Sequence, residues 1–226
     1  NKEQRGYITP QEYNLLASQA QLLIFEQYFN SIDKALDIHG NSTEYSDRIS
    51  ELHEKIAPFE NNDVAMAAVS GTTATLPVGG NVHKLGTVFY EASTNRFLKV
   101  ERVSANEVEV MNQTALYAPA QGRPVYVRRS ATTIQLSPVQ TVTPVYATGN
   151  VSCNFIAKPA KAEWGYVVIG TQALYNGTTS TDFVLHASEE NELVYKILEL
   201  AGIILNKQGL VQIAGNEDNE LMVKKQ

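Results

Sequence analysis

The stretch "STDFVLHASEENELVYKILELAGI" (residues 180–203) changes pattern half way along its length. Phe183, Val184 and Leu185 read as the end of a strand, and from Ser188 onward the apolar residues Leu193, Val194, Ile197, Leu198 and Ala201 recur at helical spacing. The reading predicts a C-terminal helix from Ser188 to about Asn206, with Leu193, Ile197 and Leu198 packed on a β-rich middle of the chain. Its apolar face, which Ile204 and Leu205 extend, is wider than a helix covering one sheet face requires. The hinge itself, His186 to Glu192, holds a histidine and three glutamates. Catalytic carboxylates converge across a cleft, whereas these share one helical turn, where the N-terminal dipole favours negative charge. With Ser188 as N-cap, Glu189 and Glu190 fall at the first two helical positions, so the hinge reads as a helix start.

Working outward, the N-terminal region is helical. In "TPQEYNLLASQAQLLIFEQYFNSIDKALDIHGN" Thr9 is placed as N-cap, Pro10 at the first helical position and Glu12 as the partner that closes a capping box. Leu15, Leu22, Phe25, Phe29, Ile32 and Leu36 share one face, and Tyr13, Leu16, Ala20, Leu23 and Ile24 an adjoining one, with Gly40 as the stop. A second helix, "TEYSDRISELHEKIAP", repeats Tyr45, Ile49, Leu52 and Ile56 on one face and ends at Pro58.

From residue 59 the texture turns to Thr, Val, Gly and Pro. Six runs read as strands: "TVFYEA", "RFLKVERV", "PVYVRRS", "TTIQLSP", "NVSCNFIAKP" and "WGYVVIG". Prolines 119, 124, 138, 144 and 159 confine strands to edges or mark their ends. "SANEVEVMNQTA" interrupts them, with Ser104 and Glu107 spaced as a capping box before Val108 and Met111. "GLVQIA" offers a last strand. The fold class is therefore α+β: an N-terminal helical hairpin with a long first helix (1–58), a β-rich middle of antiparallel or mixed sheet (59–186), and a C-terminal helix, short strand and tail (187–226) packed on the sheet as one compact unit with it.

Composition narrows the function. The chain has 226 residues, 43% of them hydrophobic and 19% charged, an ordinary globular balance. Its net charge of -6 argues against a broad nucleic-acid surface, and only "VRRS" (Arg128, Arg129) groups basic residues on a strand. Cys153 is the single cysteine and reads as a buried hydrophobe, not a nucleophile. His39, His53, His83 and His186 form no metal-ligand spacing, and neither a GxSxG elbow nor a phosphate loop is present. The Asn-x-Ser/Thr triplets at Asn41, Asn112, Asn150 and Asn176 read as chance in a Ser/Thr/Asn-rich chain. No apolar run is long enough for a membrane helix and no leader precedes the first helix, so the expectation is a soluble chain with no catalytic, cofactor or metal residues. The surplus apolar face of the two long helices, with Leu22, Phe25, Tyr28, Phe29, Trp164 and Ile204 as the candidate subunit-interface residues, points to an oligomer.

Several strings also resemble a known family. "NKEQRGYITPQEYNLLASQAQLLIFEQYF" is similar to the N-terminal segment of a family of tailed-phage virion proteins, in which a basic lead precedes a Tyr-x-Thr-Pro phrase and a long helix rich in Ala and Gln. "PVYVRRSATTIQLSP", "VSCNFIAKPAKAEWGY" and "STDFVLHASEENELVYKILELAGI" look like that family's second half. The resemblance is to the ring or neck proteins of crAss-like podophages. After "KP", however, this chain reads Ala160-Lys161-Ala162-Glu163 before Trp164, without the second proline of the family phrase. The resemblance implies a non-enzymatic subunit of the portal-to-tail connector, located in the virion neck or tail and in the host cytoplasm during assembly. Its implied partners are copies of itself in a ring, adjacent portal or tail ring proteins, and DNA that passes through the channel without sequence-specific binding; no membrane is implied. The alternative is a β-rich carbohydrate- or surface-binding module with Trp164, Tyr166 and Tyr175 as stacking platforms.

Overall fold

The computed structural model describes residues 8–37, 43–70, 72–77, 81–93, 96–138, 146, 149–170, 172–205, 212–213 and 215–217. The chain is α+β and divides into two compact units. One is Phe59–Lys158; the other joins Asn1–Pro58 to Pro159–Gln226. The first boundary falls where the composition changes. The second lies at 158/159 and not at 186/187, so the C-terminal helix belongs with the N-terminal helices and not in one unit with the sheet.

Among the described residues the sheet unit contains eight strands: β1 (Glu60–Ala65), β2 (Ala68–Ser70), β3 (Thr73–Thr75), β4 (Val82–Ser93), β5 (Arg96–Arg102), β6 (Val125–Arg128), β7 (Thr133–Ser137) and β8 (Val151–Ala157). Their order is β1-β8-β4-β5-β6-β7-β3-β2, and every neighbouring pair is antiparallel except β5 with β6. A parallel pair needs a crossover, and here the predicted interruption supplies it, because a helix spans Ala105–Asn112 between them. Ser104 and Glu107 form the expected capping box at its start.

Alternation sets the core. Val151, Cys153 and Phe155 point inward from β8, Val88 and Tyr90 from β4, and Ile134 and Leu136 from β7. β6 breaks the alternation, being buried along Val125, Tyr126 and Val127. Tyr126 joins the main core, while Val125 and Val127 form a second cluster under Val108 and Met111 of the crossover helix. Burying each such aliphatic side chain contributes about 1.5–3 kcal/mol. Pro124 and Pro138 stand immediately outside β6 and β7, where strand ends were predicted; position 144 lies outside the described residues.

The helical unit is built on α1 (Pro10–Asp37), α2 (Thr43–Ile56) and a C-terminal helix, Glu190–Ile204; in chain order the crossover helix is α3 and this last one α4. The capping box of α1 is present: Thr9 N donates to Glu12 Oε2 at 2.8 Å and Glu12 N to Thr9 Oγ1 at 3.4 Å. At 28 residues the helix is about 42 Å long. The predicted stop, Gly40, lies outside the described residues. α1 buries Leu16, Ala17, Ala20, Gln21, Ile24, Phe25 and Tyr28, so the buried stripe is rotated from the predicted one, and Leu15, Leu22 and Leu23 face solvent. α4 packs against α1, with Leu193 and Ala201 buried and Leu198 exposed, which replaces the expected packing of Leu193, Ile197 and Leu198 on the sheet. Between Lys158 and α4 a separate two-stranded antiparallel hairpin forms from β9 (Tyr166–Ile169) and β10 (Gln172–Tyr175). Of "GLVQIA" only Gln212 and Ile213 are described, and both are helical. Among the described residues no helix is long and apolar enough to cross a membrane.

Candidate functional site

The helical unit is organised by a polar stripe that sequence patterning passed over. Asn14, Ser18 and Gln21 stand at i, i+4 and i+7 on α1 and hold the irregular segment that follows the sheet unit. Asn14 Nδ2 donates to Trp164 O at 3.2 Å while its Oδ1 accepts from Trp164 N at 2.8 Å. Ser18 Oγ donates to Ala162 O at 3.0 Å, and Gln21 Nε2 to Ala160 O at 2.6 Å. Gln21 Oε1 in turn accepts from Val184 N at 2.9 Å. Along residues 160–164 these bonds satisfy backbone groups that a strand or helix would otherwise pair.

That strap presents the β9–β10 hairpin. Its base is closed by Glu163 and Thr181, which exchange N–H···O bonds of 2.9 and 2.8 Å. Gly165 then passes close to the turn that follows β10: a Cβ there would lie 2.7 Å from Ser180 N and still closer to Asn176 O and Thr179 Oγ1, so only glycine fits. Gly170, at φ +66°, opens the turn after Ile169. From Tyr166 to Tyr175 the sequence has no charged residue. Register pairs Tyr166 with Tyr175 and Val168 with Ala173 on one face, and Val167 with Leu174 and Ile169 with Gln172 on the other. Trp164 stacks on both tyrosines of the first face, with ring centroids 5.8 Å and 6.3 Å away. Both faces are open to solvent: Val168 is 60% exposed and Tyr175 64% on one, Ile169 64% on the other.

The acidic hinge differs from the expected helix start. A 3-10 turn, Ala187–Glu189, precedes α4 and is capped by His186, whose Nδ1 accepts from Ser188 N at 3.3 Å; Ser188 is therefore not the N-cap. Ser188 Oγ instead donates to Glu189 Oε1 at 3.1 Å. Glu189 and Glu192 are buried, only Glu190 of the trio is exposed, and Glu189 pairs with buried Lys55 of α2 at 3.3 Å. Lys55 also meets exposed Glu51 at 2.9 Å. Tyr28 of α1 lies within electrostatic reach of Glu189 and Glu192. Its buried Oη has no hydrogen-bond partner among the described residues, and burial first, then Glu189 and Glu192, push the phenol above its ordinary range. The hinge is thus an ionic contact between α2 and the turn that starts α4, with two of its three carboxylates buried.

Of the six predicted interface residues, Phe25 and Tyr28 are core: Phe25 is 0% exposed and meets Phe29 edge-on at 5.1 Å. They are corrected to packing residues, because a helix this wide buries its aromatic side in its own unit. Phe29 and Trp164 are half-buried, Leu22 is exposed, and the side chain of Ile204 lies outside the described set. The three proposed stacking aromatics do come together, though with their faces on one another. Cys153 is in the sheet core, where burial pushes its thiol up to about 11. Among the described residues no three His, Cys, Asp or Glu converge as a metal site, and His39 lies outside them. No protein-family model matches this chain, and no curated protein matches it.

Proposed function

We propose that the chain is a non-enzymatic structural subunit of a tailed-phage virion, one that assembles with copies of itself into a ring of the neck or tail connector through which DNA passes. The observation that carries the proposal is the uncharged β9–β10 hairpin, open to solvent on both faces, beside the exposed leucines of α1. A lone hairpin is marginal in water and an uncovered apolar surface of this kind is characteristic of an assembly contact. A ring subunit carries two different, complementary faces, and a hairpin and a helix stripe on one unit provide such a pair. The phage-like phrases at 1–29 and 180–203 lie in this same unit.

Its other partners in this reading are the adjacent portal or tail rings. Charge supports passage of DNA without retention. Residues 59–158 hold eight Lys and Arg against six Asp and Glu, and the rest of the chain ten against eighteen, so an acidic helical unit at the bore repels the duplex. A bore lined by Lys and Arg in the assembled particle contradicts that part.

Native mass measurement with negative-stain microscopy tests the function. The expected result is a ring-sized particle with a central opening, alone or when mixed with its portal. A chain that stays monomeric in both conditions and binds glycans through Trp164, Tyr166 and Tyr175 supports the carbohydrate-binding module instead, which the clustering of those three rings favours.

A further inference from the structure

We infer that Asn176 is a site of spontaneous modification: in the turn that follows β10 it is converted, without an enzyme, to aspartate and isoaspartate through a cyclic imide closed by the nitrogen of Gly177. Three observations lead to it, and none depends on ring assembly.

The first is sequence. Residues 176–177 are the only Asn-Gly pair in the chain. Glycine has no Cβ to shield its peptide nitrogen, and its backbone freedom lets that nitrogen reach the side chain before it. The second is the nitrogen itself. Gly177 is exposed, and its N–H donates no hydrogen bond among the described residues, so closing the ring breaks none. After Asn14 and Asn154, in contrast, the next residue lies inside α1 or β8, where its N–H belongs to the helix or the ladder. The third is the carboxamide. Asn176 Oδ1 accepts from Thr178 N at 3.1 Å, an Asx turn that folds the side chain back over the Gly177 peptide. The Asn176 backbone is meanwhile held by the hairpin base: its N donates to Gly165 O at 2.8 Å and its O accepts from Ser180 Oγ at 3.0 Å.

The reaction balances with water alone. Solvent takes the Gly177 N–H proton and the nitrogen bonds to Asn176 Cγ. Negative charge develops on Oδ1, where Thr178 N–H already donates. The Cγ–Nδ2 bond then breaks and ammonia leaves with a solvent proton. Water opens the imide at Cγ to give aspartate, or at the main-chain carbonyl to give isoaspartate, whose backbone runs on through Cγ. Aspartate keeps the Thr178 bond, because a carboxylate oxygen accepts it as the amide oxygen did. Isoaspartate adds a backbone carbon beside Gly165, where there is not even room for a Cβ, and so disturbs the hairpin base. Either product sets a negative charge next to a segment, Tyr166 to Tyr175, that has no charged residue.

The test ages the full folded chain in mildly alkaline buffer and follows each asparagine by peptide mass spectrometry, with fragment spectra to place the change. The expected result is that Asn176 exchanges amide for acid ahead of every other asparagine, and that an isoaspartyl methyltransferase labels the same peptide. Gly177→Ala should slow the exchange severalfold. That variant keeps the fold, since the added Cβ meets nothing nearer than Tyr175 Oη at 3.5 Å. Asn176→Asp should elute with the aspartate product on anion exchange and show no methyltransferase label early in the time course. If Asn176 stays intact while the chain ages, if another asparagine changes first, or if Gly177→Ala changes at the wild-type rate, the assignment is overturned.

Discussion

The two units of this chain solve the same folding problem in opposite ways. In the sheet unit the interior is apolar, with Ser137 the one buried polar side chain among the described residues outside the tyrosines, and Tyr146 Oη is satisfied at 2.9 Å by Ser137 O. In the helical unit the interior holds Gln21, Lys55, Glu189 and Glu192, and an unpartnered Tyr28 hydroxyl. The surfaces reverse the contrast. Of seventeen exposed large hydrophobic residues among those described, thirteen lie in the helical unit, so the unit with the more polar inside has the more apolar outside.

Their strand edges differ in the same sense. β1, at one edge of the large sheet, carries Glu60 and Asp63 and bulges between Asn61 and Val64, with Asp63 at φ +53°. Its Asp63 N–H bonds to Asn154 Oδ1 at 2.8 Å and its carboxylate accepts from Ser152 Oγ at 2.6 Å. β2, at the other edge, is only three residues long. These are the devices that keep a strand from pairing with another chain. β9 and β10, at four residues each, are short as well, but they carry neither a charge nor a bulge. The large sheet thus has charge and a bulge at one edge that the hairpin lacks, which is the physical basis for proposing the helical unit as the assembly surface.

The contrast can be broken or sharpened by substitution. The largest effect should come from Lys55→Met, which leaves buried Glu189 without its cation and is expected to lower stability by about 3–5 kcal/mol in urea titration. Replacing both, Lys55→Met with Glu189→Leu, should recover most of that loss, because the pair itself contributes little beyond an apolar pair of similar volume. In the sheet unit Ile134→Ala, a buried aliphatic deletion, is expected to cost about 2–5 kcal/mol, and no polar partner change should rescue it. Equal rescue in both units would erase the distinction drawn here.

Smaller effects sharpen it. Gly165→Ala forces apart the two sides of the hairpin base and should cost about 1–3 kcal/mol, with assembly weakened more than the fold. Tyr28→Phe removes a buried hydroxyl without a partner and should stabilise by about 1 kcal/mol at neutral pH. Its pH dependence has a definite sign. Because burial and the two carboxylates raise the folded-state phenol above its unfolded value near 10, the native protein retains a proton the unfolded chain releases, and stability falls as pH rises past about 10. Tyr28→Phe should flatten that alkaline loss, as melting temperatures at pH 8 and about 11 would reveal. Least of all, Ser104→Ala should cost about 1 kcal/mol through the α3 cap.

How much of this was legible depends on how local its cause is. The capping boxes at Thr9/Glu12 and Ser104/Glu107, the six strand runs and the stop at Pro58 follow from adjacent residues and are all present. β1 was missed because "ENNDVA" has the composition of a loop; it becomes a strand only by pairing with β8 across the sheet. "QALY" lacks β-branched residues and is held as β10 by its register with β9. The helix start at residues 187–190 was legible, but its cap by His186 and the burial of Glu189 against Lys55 were not, because nothing near Glu189 in sequence announces that lysine. The Asn14/Ser18/Gln21 stripe, in contrast, was readable: three polar residues at helical spacing beside an apolar face mark a buried polar seam.

The most direct measurement of the central claim is mass photometry or native mass spectrometry of the wild type and Ile169→Lys side by side, across concentration and with the portal present. The account predicts a ring-sized species for the wild type and a monomer, equally well folded, for the variant. A wild type that stays monomeric throughout, or a variant that forms the same particle at the same concentration, would contradict it.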